Sequence, residues 1–233
     1  MKKRYFAAGL LTALLILAMT LSFHAEETAK KGLVKTDGKS YIYTDKGKLV
    51  KKVPAYRIKV DGEYQYYSIS KKGVAKKLTG VKKLAAERLV KLKANKKKSV
   101  KNLKKAFLWS AKLSYRNNTV GKKGSKAAKY YGKYGFENGT GDCNTAAYTF
   151  YWMAKVLGYS PKVVQGYVPD GSITNLKRHA WVIMKVSGKR YYFDPDFNRN
   201  YRKSKGKYCG FKFKYGTKGT YMYYGPNKKP MGK

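Results

Sequence analysis

Only two cysteines and two histidines occur among the 233 residues, and they stand apart as His24, Cys143, His179 and Cys209. So few ligands make no cluster for a metal and allow at most one intramolecular disulfide. Acidic residues are scarce as well: 12 Asp+Glu face 53 Lys+Arg, a formal net charge of +41 at pH 7. Calcium needs a loop of carboxylates, and no stretch supplies one. Arginine is the minority cation, eight residues against 45 lysines. Lysine is a hydrated point charge, whereas arginine's planar fork suits bases and forked phosphates. The composition therefore fits attraction to an anionic cell-wall polymer or membrane surface, and argues against sequence-specific nucleic acid. A solubilising coat on an extracellular protein is the plainer reading of the same charge. Glutamine occurs twice, at Gln65 and Gln165, so the chain has few amide donors of its own. After Phe23 no apolar run approaches the roughly 20 residues of a membrane helix.

Hydrophobic residues make up 43% of the chain, which is globular and not disordered in composition. Residues 1–25 begin with Lys2-Lys3-Arg4 and continue as an apolar run from Phe6 to Phe23, the pattern of a secretory signal. Ala25 fits a cleavage position, but Phe23 is bulky for the place it would occupy, so an uncleaved N-terminal anchor is the alternative. Either way the expected location is secreted or cell-surface associated.

Residues 26–79 read as a basic, Tyr/Gly-rich β-hairpin module. Asp37-Gly38 and Asp61-Gly62 each sit between short alternating runs, Tyr41-Ile42-Tyr43 and Tyr64-Gln65-Tyr66-Tyr67 among them. Asp-Gly in that setting is a strong hairpin signal. The segment resembles the short hairpin repeats with which many secreted bacterial proteins hold cell-wall polymers, although it lacks their tryptophans. A plain β-module packed on the rest of the chain is the other reading.

Helical spacing places Ala85, Leu89 and Leu92 on one side of a helix over 81–94. Ser99 is an N-cap for a second, with Leu103, Phe107, Ala111 and Ser114 buried and an end near Tyr115 to Asn118. Residues 120–138 read as a long, basic, glycine-punctuated connection in which Tyr131 and Tyr134 could line a cleft. Gly141-Asp142-Cys143-Asn144-Thr145 then opens a helix that carries Ala147, Tyr151, Ala154 and Leu157 inward and stops at Gly158. A helix N-terminus offers unpaired N–H groups and about half a positive charge, which favours a thiolate and can later hold an oxyanion. Cys143 is thus the nucleophile candidate; a disulfide with Cys209, which sits in a strand-like context, is the structural alternative.

With His24 in the apolar leader, His179 is the imidazole left to act as base. After the strand 162–168, a turn at 169–172 and a loop through Asn175 lead to it. Residues 179–186 alternate, and Ser187-Gly188 makes a two-residue turn. If Val186 faces Lys189, Trp181 falls opposite Asp194 and His179 opposite Asp196, so either carboxylate shares a sheet face with the imidazole. An acceptor on the second ring nitrogen would fix the tautomer.

The order Cys143, His179, Asp194, with Gly-Asp-Cys at a helix start and Tyr-Tyr-Phe-Asp-Pro on a strand, resembles the transglutaminase-like superfamily of papain-type thiol enzymes. The likeness runs from about Val81 to Asn200. It implies an α+β fold: helices packed on an antiparallel sheet, here within 80–233 and ending in a C-terminal β extension. It favours Asp194 over Asp196 as third member of a Cys-His-Asp triad. Trp109 resembles the tryptophan that precedes the cysteine in many members, whose indole N–H can help hold the oxyanion; packing in the core is the competing reading. The implied activity is acyl transfer or hydrolysis at a protein or peptide amide through a Cys143 thioester, with no cofactor. The competing class is a non-catalytic cell-surface binding protein that uses the fold as a scaffold.

Overall fold

In the computed structural model, which describes residues 30–122, 124–200 and 210–231, the chain starts with hairpins. Strands β1 (Gly32–Thr36) and β2 (Lys39–Tyr43) turn at Asp37-Gly38, and β3 (Val53–Val60) and β4 (Glu63–Ile69) turn at Asp61-Gly62. All four turn residues have positive φ, between 50° and 83°, the geometry in which two-residue loops match the twist of their strands. Strand β5 (Val74–Lys77) inserts between the hairpins, giving one antiparallel sheet in the order β1-β2-β5-β4-β3. Its two faces do different things. Ile42, Tyr67, Ile69 and Ala75 close a small cluster of their own, while Ala55, Tyr66 and Leu78 join the main core.

The main core is helical. Helix α1 (Gly80–Lys91) buries Ala85, Ala86 and Leu89, and α2 (Val100–Ser110) starts at Ser99, whose hydroxyl accepts the Asn102 N–H at 3.2 Å. This helix is shorter than its spacing predicts. Ala111 is its C-cap and Ser114 is exposed, because β6 (Ser114–Tyr115) leaves the helix to pair in parallel with β7 (Thr140–Gly141).

The region expected as a connection is instead helix α3 (Gly124–Asn138). Its glycines are packing positions and not breaks. A Cβ on Gly132 would lie 2.4 Å from the Trp152 ring, and one on Gly135 would lie 2.4 Å from Thr149. Glycine lets this helix press against α4 (Cys143–Val156) more closely than any side chain allows. Helix α4 is buried almost all round, through Ala146, Ala147, Phe150, Met153 and Ala154, as befits a central helix. Leu157 caps it and Gly158 follows at φ 86°.

Strands β8 (Lys162–Asp170), β9 (Ser172–Val186) and β10 (Lys189–Phe193) form a second antiparallel sheet in the order β10-β9-β8. The loop expected up to Asn175 is part of β9, with Leu176 opposite Pro169 and Lys177 opposite Val168. The Ser187-Gly188 turn sets Lys189 opposite Val186, as expected. The strand then stops at Phe193, and a short helix, α5 (Pro195–Asn200), follows, so Asp196 is helical and not on the sheet.

One face of this sheet, Ala180, Val182, Met184 and Phe193, packs on the helices. The other face, Val164, Val168, Trp181 and Tyr192, is covered by Phe213 and Tyr223 from residues 210–231. That covering segment is joined by isolated bridges, Phe213 to Tyr192 and Tyr224 to Tyr167, so the expected β extension has no regular strand among the described residues. Gly166 makes the second bridge feasible, since a Cβ there would lie 2.2 Å from the Tyr224 carbonyl oxygen. The fold is α+β, helices on antiparallel sheets. Among the described residues no helix is long and apolar enough to cross a membrane. Residues 1–29 and Cys209, with the expected signal segment, lie outside the described residues.

Candidate active site

Cys143 occupies the first position of α4 because Asp142 caps the helix: its Oδ1 accepts the Thr145 N–H at 3.0 Å. The cap is itself held from several sides. Asp142 Oδ2 accepts from Thr119 Oγ1 at 2.5 Å and from Asn144 Nδ2 at 3.1 Å, and its N–H donates to Asn118 Oδ1 at 3.1 Å. Gly141 before it has φ 151°, and a Cβ there would lie 2.4 Å from Thr145, so only glycine fits. Cys143 is half-buried. The N–H groups of Cys143 and Asn144, in the first helical turn, have no intrahelical acceptor.

Two clefts meet at the cysteine. One, about 540 Å³, is lined on its far side by Gln165, Gly166, Tyr167 and Pro226. The other, about 290 Å³, runs past Tyr115, Asp196 and Tyr221. Thr119, Cys143, Arg178 and His179 border both.

His179 projects from β9, buried, with Nε2 at 2.7 Å from Asp194 Oδ2. That contact leaves Nδ1 as the ring nitrogen not taken by Asp194, and His179 and Cys143 border the same two clefts. Burial works against a charged imidazole here. The Asp194 carboxylate and the Cys143 sulfur outweigh it and hold the His179 pKa well above its usual value. Asp194 is fully buried and terminates the strand as N-cap of α5, its Oδ1 accepting the Phe197 N–H at 2.9 Å. Asp196 comes no nearer to the ring than 3.8 Å, at Nδ1, and its carboxylate is taken by Arg199. Burial raises the Asp196 pKa, with His179 and Arg199 opposing.

Residues 84–195 match the family model of the transglutaminase-like superfamily. No curated protein matches the chain. A solved structure described as a candidate cysteine protease from Cytophaga hutchinsonii aligns with TM-score 0.34 and 17% identity, over 49% of this chain and 36% of that one. The present chain thus spans about a third of that protein's length.

Trp109, expected either as an oxyanion donor or as a core residue, lies apart from the cysteine. Its ring stacks on Phe136 at 5.6 Å, carries the Arg88 guanidinium at 4.3 Å on its face, and borders neither cleft at Cys143. Helix α2 points that side chain towards α3 and α1, not towards the head of α4. Of the two tyrosines considered for the cleft, Tyr131 lines it, its hydroxyl clamped by the N–H and carbonyl of Val120 at 2.9 and 2.8 Å. Tyr134 does not; it stacks on Tyr130.

Four contributing residues were not foreseen. Tyr223 is fully buried and donates to Asp194 Oδ2 at 2.9 Å, giving that oxygen a second donor beside His179. Arg199 donates to the carbonyls of Gly141 and Leu113 at 2.9 and 3.2 Å, tying α5 to the backbone that leads into the cysteine. Asn144 and Gln165 meet across the larger cleft at 2.8 Å. The start of α5 was legible, since Asp194-Pro195 pairs an N-cap residue with proline at the first helical position. Tyr223, one tyrosine among 23, carried no local signal. Among the described residues no group of three or more His, Cys, Asp or Glu side chains is placed to hold a metal ion.

Proposed function

We propose that the protein is an exported thiol enzyme that performs acyl transfer or hydrolysis at a peptide or protein amide, with Cys143, His179 and Asp194 as its catalytic triad. The observation that carries this reading is the buried His179–Asp194 pair, 2.7 Å apart, bordering the same clefts as a cysteine at a helix start. The Cys143 thiolate attacks the amide carbon, a C–S bond forms, and the carbonyl electrons move to oxygen, facing the first N–H groups of α4. His179 gives its proton to the leaving nitrogen as the C–N bond breaks, leaving a thioester. Water or an amine then attacks, His179 takes the incoming proton, and the sulfur leaves.

The charge around the site supports an acidic or neutral acyl donor. Lys122 and Arg178 are the charged residues lining the larger cleft beside His179, and among the described residues no carboxylate lines it, whereas Asp142 and Asp196 line the smaller one. Both glutamines are already engaged, Gln65 with the Tyr67 hydroxyl at 2.8 Å and Gln165 with Asn144, which favours an external donor over self-cross-linking. Residues 1–25 support export, and the net charge of +41 supports retention on an anionic wall polymer or membrane surface.

Alkylation with iodoacetamide at neutral pH, read by mass spectrometry, tests the reading. Cys143 is expected to label first and to slow in His179→Ala. Labelling of Cys209 ahead of Cys143, or a disulfide between them in the exported protein, would overturn it in favour of a binding scaffold. Incubation with an acidic glutamine peptide, against enzyme alone, separates external transfer or hydrolysis from cross-links through Gln65.

A further inference from the structure

We propose that Asn144 is a further catalytic residue, a side-chain N–H donor to negative charge at Cys143, and that Gln165 positions it; the proposal rests on Cys143 being the nucleophile. With Trp109 turned away, the site lacks the side-chain donor that its resemblance implied. Asn144 supplies one from the next residue of the same helix turn. Its Nδ2 lies 3.9 Å from Cys143 Sγ and 3.1 Å from Asp142 Oδ2. The direction of this carboxamide is dictated by its neighbours. Asp142 has only acceptor atoms to offer, so the NH₂ end turns towards it and, on the same side, towards the sulfur. The oxygen end is then left facing β8, where Gln165 Nε2 donates to it at 2.8 Å. Asp142 fixes which end is the NH₂ and Gln165 holds the oxygen end, so the amide nitrogen stays beside the carboxylate and the sulfur.

The chemistry follows from that direction. A neutral thiol gains little from an N–H donor, whereas a thiolate gains a charge-assisted hydrogen bond. The same donor borders the cleft in which the acyl carbon would meet the sulfur. The protein therefore holds a side-chain donor in addition to the backbone N–H groups of the helix start, set in place by a residue 21 positions away.

The test reads the thiol and needs no substrate. Full-length protein is treated with iodoacetamide at neutral pH and the Cys143 rate is followed by mass spectrometry in wild type, Asn144→Ala, Asn144→Leu, Gln165→Glu, Gln165→Met and His179→Ala. Asn144→Leu keeps the volume and loses the N–H; it and Asn144→Ala are expected to slow alkylation on the order of tenfold, the scale of one charge-assisted hydrogen bond. Gln165→Glu keeps the shape but cannot donate to Asn144, and is expected to slow the rate about threefold. Gln165→Met, which removes the donor without adding a charge, should slow it as well; a rate unchanged in Gln165→Met would assign the effect of Gln165→Glu to its charge and remove Gln165 as the positioning residue. Melting temperatures compared across the set identify any variant that has lost its fold. If Cys143 is fast and depends on His179 but is indifferent to both Asn144 variants, this proposal falls and the enzyme reading stands. If Cys143 is no faster than an ordinary thiol and indifferent to His179, both fall together.

Discussion

The five-stranded sheet at 32–77 and the thiol site are both made of glycine turns and aromatic strands, yet they are assembled on different principles. In the sheet, each hairpin is closed by two residues with positive φ and zips outwards from that turn, from Thr36 opposite Lys39 to Gly32 opposite Tyr43 and from Val60 opposite Glu63 to Val53 opposite Ile69. At the site, the contacts span 15 residues from His179 to Asp194, 29 from Asp194 to Tyr223 and 86 from Leu113 to Arg199. Local pairing can be read from turn chemistry. Long-range pairing is decided by which buried groups still need a partner once the helices and sheets have packed. The same contrast runs through the glycines. Those at 38 and 62 have open space where a Cβ would go and serve the turn, whereas those at 132 and 135 lie against α4 and serve the packing.

The largest effect expected is at the sulfur and its base. Cys143→Ala and His179→Ala should each reduce amide turnover by a factor on the order of 10⁴ or more, with the melting temperature little changed, measured by amine release from an acidic glutamine peptide. Gly62→Ala in the hairpin should leave turnover intact, and an equal loss there would erase the comparison.

Next come the two aspartates, which sequence alone left as rivals. Asp194→Asn should lower kcat by about 10²–10⁴-fold, and Tyr223→Phe by about tenfold, since Asp194 Oδ2 then keeps His179 but loses its second donor. Asp196→Asn should cost about 3 kcal/mol in urea unfolding, by leaving Arg199 buried without its carboxylate, and less in rate. An Asp196→Asn variant slower than Asp194→Asn would reassign the third role.

The pH dependence should follow His179. Its folded pKa lies above the unfolded one, so the stabilisation from its pairing is full below about pH 6.5 and is lost as pH rises through the raised value. Activity that depends on the imidazolium should fall in the same direction. Urea midpoints taken between about pH 6 and 10 should decline in wild type and flatten in Asp194→Asn; an unchanged slope in the variant would remove Asp194 as the cause.

Smaller effects separate the two kinds of glycine. Gly132→Ala and Gly135→Ala, which press into Trp152 and Thr149, should cost about 1–3 kcal/mol. Gly62→Ala, strained at φ 83° but in open space, should cost about 1 kcal/mol. Chemical denaturation of the three variants decides whether α3 is held as tightly as its geometry indicates. The smallest effect concerns the surface: retention on an anionic polymer should fade with salt and be nearly gone at about 1 M, where screening reaches to about 3 Å. Retention that survives would indicate recognition by specific contacts.

What the sequence determined by itself was whatever depends on a residue and its near neighbours. Asp-Gly and Ser-Gly pairs wrote the turns, Asp142 wrote the start of the cysteine helix, and the alternation 179–186 with Ser187-Gly188 wrote the register that brings His179 and Asp194 to the same end of one sheet. Trp109 reads as donor or core in the sequence because its place before the cysteine resembles a pattern, and such a resemblance says nothing of which way a helix turns its side chains once it is packed. Helix α3 read as a connection because glycine is a helix breaker in isolation, and only the closeness of α4 makes glycine the residue that fits. Tertiary structure alone chose Tyr223 to complete Asp194 and Arg199 to hold the backbone before the cysteine. Each is a buried polar group whose partner lies far along the chain, and a partner of that kind is fixed by the geometry that remains after the apolar faces have closed.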